Sequence, residues 1–145
     1  MARNALKVLS RVRDMAVAQA RRDLATSLAD EASRSGRLDA HRALMAAEAE
    51  AATPETLAAF VRWLPVAQAQ TPRLQAALAE AHASTEKSQA ALVLRRTEAK
   101  AVAKALARQS EREAQVRQRQ AQAALDEVAS SRTGMTSMPH SLTKY

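Results

Sequence analysis

The chain has 145 residues, 2% of them aromatic, with no cysteine, two glycines, and 22 basic against 15 acidic side chains for a net charge of +7. So little aromatic bulk argues against a globular core, and Gly36 and Gly134 stand too far apart to form a phosphate-cradling loop or a G-x-S-x-G nucleophile elbow. Without thiols there are no disulfides, no cysteine-bound zinc and no thiol catalysis.

What remains is a helix-forming composition. About a quarter of the residues are alanine, and Leu, Arg, Gln, Glu and Lys make up most of the rest. The expected fold is all-α: two long helices forming an antiparallel coiled-coil hairpin over 1–132, a short helix at the connecting tip, and a disordered tail over 133–145. No catalytic residue, cofactor or metal is expected, and the chain reads as a protein that contacts other proteins rather than as an enzyme.

The first helix is predicted over about 3–52, with only Gly36 to weaken it. Its apolar residues step by fours at first (Ala16, Ala20, Leu24, Leu28, Ala32), while Val17, Leu24, Leu38 and Met45 follow a seven-residue repeat that Glu31 interrupts. A stripe this narrow needs a second long helix beside it.

Thr53-Pro54 is a helix start signal, and Leu57, Phe60, Val61 and Leu64 then share one face until Pro65. This predicts a short tip helix over about 54–64, in which Phe60 and Trp63 either pack or meet a partner. Thr71-Pro72 is a second start signal, opening a helix over about 72–131. Its three-four spacing runs through Leu74, Leu78, Ala81, Thr85, Ser88, Leu92, Arg95, Ala99, Val102 and Leu106. The segment from Thr133 on has no periodicity and is expected to be disordered.

Folding the helices back on each other polarises the charge. One end gathers Arg3, Lys7, Arg11, Arg13, Arg21 and Arg22 beside the basic far half of the second helix, while the tip carries Glu48, Glu50, Glu55, Glu80 and Glu86. Arg96, Lys100, Lys104, Arg108 and Arg112 recur every four residues, either as a solvated ridge or as a surface for an acidic cavity. Interleaved acids and the lack of aromatics near the ridge argue against nucleic acid. His41, His82 and His140 lack metal-ligand spacing, and His82 is expected to be an ordinary exposed side chain. No apolar run is long enough to span a membrane, and the protein is expected in the cytosol.

Three segments together resemble a known family. Lys7-Val8-Leu9-Ser10-Arg11-Val12-Arg13, Phe60-Val61-Arg62-Trp63-Leu64-Pro65, and Leu125-Asp126-Glu127-Val128-Ala129 with Arg132 are similar, in order and spacing, to the flagellar FliJ family and the YscO-like stalk proteins of type III secretion. The resemblance implies a cytoplasmic export component, peripheral to the inner membrane and shaped like the central shaft of the rotary ATP synthase. Its implied partners are the hexameric flagellar export ATPase, the cytoplasmic domain of the large export-gate membrane protein, and export chaperones. It puts Arg3, Lys7, Arg11, Lys100, Lys104, Arg108 and Arg112 at the ATPase ring, and Leu74, Ala77, Leu78 and Ala81 at the export gate. Those four also lie on or next to the helix seam, where plain packing explains them equally well. A generic coiled-coil adaptor and a basic binder of nucleic acid or membrane surfaces stay open as alternatives.

Overall fold

The computed structural model describes the backbone of residues 2–135 and the side chains of residues 4–132. The fold is all-helical: α1 (Ala2–Ala51) and α2 (Leu57–Met135) are packed against each other. At 1.5 Å per residue α1 is about 75 Å long and α2 about 120 Å. No helix among the described residues is long and apolar enough to cross a membrane.

The turn between the helices is built by its threonines. Thr53 caps α2: its carbonyl accepts from the amides of Thr56 (3.0 Å) and Leu57 (2.8 Å). Thr56 reaches back, its hydroxyl accepting the Thr53 amide at 2.8 Å, so two otherwise orphaned donors are satisfied reciprocally. Pro54 occupies the first helical position, where its missing amide costs nothing. The Thr53 hydroxyl and the Glu55 amide also hold the Glu55 carboxyl below the usual carboxylate range.

The separate tip helix over 54–64 and the fresh start at Thr71-Pro72 are not what the structure shows. A single helix runs through both Pro65 and Pro72. A proline inside a helix removes one hydrogen bond and crowds the preceding turn, at about 3 kcal/mol. Here the two prolines stand one heptad apart, and both are exposed, as are Val61 and Gln68, whose carbonyls they leave without an amide. Those carbonyls can be hydrated, and a helix that curves is convex on its solvent side, where the proline rings sit. Thr71 is correspondingly no cap, because its side chain points into the helix interface.

Burial follows a seven-residue repeat on both helices. On α2 one row contains Leu64, Thr71, Leu78, Thr85, Leu92, Ala99 and Leu106, and the other runs from Phe60 through Ala67, Leu74, Ala81 and Ser88 to Val102; all are buried or half-buried. On α1 the first row is Ser10, Val17, Leu24, Glu31, Leu38 and Met45. The second row is Leu6, Arg13, Ala20, Ser27, Arg34 and His41, and it is mostly polar. The four-residue stepping read from Leu28 and Ala32 does not describe the interface: both are exposed, Leu28 by 47%. Four residues advance a helix about 40° beyond a full turn, so a strict step of four drifts off any straight contact line.

The core is thin. Only Ala20, Leu38, Ala67, Ala81 and Leu92 are fully buried apolar residues among those described, and the small alanines let the helices approach closely. From Ala114 to Arg132 every side chain of α2 is exposed. The tail expected from Thr133 is helical as far as Met135, and residues 136–145, including His140, lie outside the described residues.

Candidate interaction surfaces

The polar row of α1 is satisfied across the interface, and its partners fall in inverse order along α2. Arg13 donates from Nη1 to Glu98 Oε2 at 2.6 Å. Ser27 and Ser88 share a hydroxyl hydrogen bond of 2.9 Å. Arg34 donates to the Ala77 carbonyl at 3.3 Å. His41 lies 2.9 Å from the Ala67 carbonyl, which can only accept, so Nε2 carries the hydrogen in this tautomer. Each step towards the end of α1 thus meets an earlier residue of α2. A one-residue slip would strand several half-buried polar groups at once, so these contacts select the register more than they add stability.

Two sites in this row carry the densest electrostatics. Glu98 accepts from both Arg13 and Arg95, the latter at 3.2 Å, while Arg13 Nε is buried without a partner. Further along, Glu31 of α1 accepts from His82 Nδ1 at 2.9 Å, and Glu86 sits 3.6 Å from His82 Nε2. The hydroxyl of Thr85 and then His82 draw the Glu31 carboxyl below the usual range. The hydrogen bond and charge of Glu31, aided by Glu86, push the His82 imidazole up. His82 is exposed, as expected, but it is not idle, because it bridges the two helices. Among the described residues no group of His, Asp and Glu is arranged to hold a metal ion.

At the turn, Phe60 and Trp63 pack together with ring centroids 5.9 Å apart and planes tilted by 40°. Both are half-buried and, with Leu44, Ala51 and Ala52, line a groove of about 560 Å³. Leu57 and Val61, expected on the same face, point outward with 52% and 58% exposure.

The four residues expected at the export gate are placed along the helix interface. Ala81 is buried, Leu74, Ala77 and Leu78 are half-buried, and α1 lies over them. Leu78 alone of the four also borders a shallow groove of about 770 Å³ between the helices, opposite Leu28, Ala32 and Leu38.

At the far end, Lys7, Arg11, Lys100, Lys104, Arg108 and Arg112 are all exposed, while the side chain of Arg3 lies outside the described residues. The register set by Arg13 with Glu98 brings Lys100 level with Arg11 and Lys104 level with Lys7. The structure therefore gathers the two basic sets at one end of the rod. It does not turn them to one side: from Arg96 to Arg112 the ridge winds about 160° around α2.

Reading the sequence did not find the polar interface row. Arginine, serine and histidine ordinarily mark an outward face, and only their common seven-residue spacing distinguishes Arg13, Ser27, Arg34 and His41.

Comparison with family models, curated proteins and solved structures finds no match to this chain.

Proposed function

We propose that the chain is a non-catalytic stalk of the flagellar FliJ type, an antiparallel coiled-coil hairpin that couples a hexameric export ATPase to the export gate in the cytoplasm. The observation that carries this reading is the concentration of exposed Lys7, Arg11, Lys100, Lys104, Arg108 and Arg112 at one end of a slender two-helix rod. A ring with an acidic lumen would draw in that end first and fix its orientation by charge. The inverse order of the cross-helix contacts and the seven-residue burial rhythm support the hairpin. The three marker segments support the family.

In this reading the polar interface row keeps the rod in one register while a partner acts on its end, so a change of state at the ring reaches the far end mechanically. Contact with the gate runs through the groove edge at Leu78, with Leu74, Ala77 and Ala81 acting as its support from within the interface. Phe60 and Trp63 brace the turn. Empty export chaperones are a further class of cargo for the exposed outer faces.

The test uses the cognate export ATPase. Wild-type chain is expected to promote ring assembly and raise ATP turnover, and the Lys100→Glu, Lys104→Glu, Arg108→Glu triple variant is expected to do neither while keeping the same helical content. A wild-type chain that leaves both assembly and turnover unchanged refutes the proposal.

A further inference from the structure

Two apolar faces near the basic end have no cover within the chain. On α1 the outer stripe Ala5, Val8, Val12 and Met15 faces away from α2, with Val8 exposed by 59%, Val12 by 54% and Met15 by 70%. Between this stripe and the helix interface lie Lys7 and Arg11. The second face is on the 114–132 stretch of α2, where Ala121, Leu125 and Val128 line up at helical spacing with Leu125 exposed by 65% and Val128 by 54%. Asp126 and Glu127 stand beside it. Exposed apolar stripes of this size on a chain with so thin a core mark contact surfaces.

We infer that each face is the other's partner in a second copy of the chain, so that two molecules join end to end in a reciprocal dimer. Charge selects this pairing. Laying one α1 stripe on another would set Lys7 and Arg11 against their own kind, whereas the α2 stripe brings Asp126 and Glu127 towards them.

Geometry permits the pairing. A two-fold axis between the basic ends runs the second copy's α2 opposite to the first copy's α2, and hence in the same direction as its α1. Two parallel helices share one rise per residue and so stay in register. Seating Leu125 of one copy between Val8 and Val12 of the other sets Val128 between Val12 and Met15, Ala121 between Ala5 and Val8, and Asp126 beside Arg11. The contact is made twice and closes on itself. It covers the end proposed to enter the ATPase ring, so the dimer and the ring complex exclude one another, but the inference does not depend on that reading.

The full chain is measured by sedimentation equilibrium over a concentration series. The mass is expected to rise from 15.7 kDa towards twice that value. Val12→Asp and Leu125→Asp are each expected to weaken association about tenfold or more, with unchanged circular dichroism because both side chains are exposed. Each variant keeps one good face, so mixing the two is expected to restore part of the association that neither has alone. A chain that stays monomeric throughout, a dimer that survives either substitution, or a mixture that gains nothing overturns the inference.

Discussion

The two parts of α2 differ in cover rather than in composition. Between Phe60 and Leu106, residues recurring every seven positions are buried against α1; from Ala114 to Arg132 an equally helical, equally alanine-rich stretch buries nothing within the chain. Leu92 is 7% exposed and Leu125 is 65% exposed. Propensity alone therefore makes the helix, and only a neighbouring helix makes an interface.

The largest test of that difference places the same charge in both parts. Leu92→Asp puts a carboxylate in the buried row and is expected to cost several kcal/mol, enough to unfold a marginally stable rod. Leu125→Asp is expected to leave the stability of the monomer within about 0.5 kcal/mol. Thermal melts followed by circular dichroism at low concentration separate the two, and equal losses would mean the covered stretch is not where the stability resides.

A smaller break is expected at the polar row. Glu98→Ala removes the acceptor shared by Arg13 and Arg95 and leaves a half-buried guanidinium unpaired, for a loss of about 1–2 kcal/mol. Replacing Arg13 by methionine together with Glu98 by leucine is expected to recover most of that loss, since an apolar pair of similar size needs no partner. Urea titration of the single and double variants measures both.

Smaller still, Gly36→Ala is expected to stabilise by about 0.5–1 kcal/mol, visible as a raised Tm. A Cβ there meets nothing within 4 Å, and alanine is the better helix former.

The mildest effect is the pH dependence of the Glu31, His82 and Glu86 bridge. His82 has a raised pKa when folded, so its contribution is fully present below its ordinary value of 6.5 and is lost as pH rises through the folded pKa. Glu31 has a lowered pKa, so its contribution is present above its ordinary 4.5 and is lost as pH falls through the folded value. Stability from this bridge is therefore greatest between those two values. His82→Gln is expected to flatten the alkaline side of the Tm profile, and an unchanged profile would show that the bridge contributes nothing.

Much of the interface on α2 was legible beforehand. The expected positions Leu74, Leu78, Ala81, Thr85, Ser88, Leu92, Ala99, Val102 and Leu106 are all buried or half-buried, while Arg95 turns out to Glu98. On α1 the repeat through Val17, Leu24, Glu31, Leu38 and Met45 was legible, Glu31 included, but its companion row was hidden by Arg13, Ser27, Arg34 and His41. Pro65 and Pro72 were misjudged because the rule that proline ends a helix assumes a buried backbone, and these two sit on the wet side.

By itself the sequence determined that the chain is helical, that a turn with threonine caps falls after the first 50 or so residues, and that basic charge gathers at one end. These follow from local propensity and linear order. Which residues face inward, that two prolines ride in one continuous helix, and that four polar side chains lock the register were decided only when α1 and α2 met. A polar group's place depends on whether a partner stands within hydrogen-bonding reach, and that partner lies up to 85 residues away along the chain.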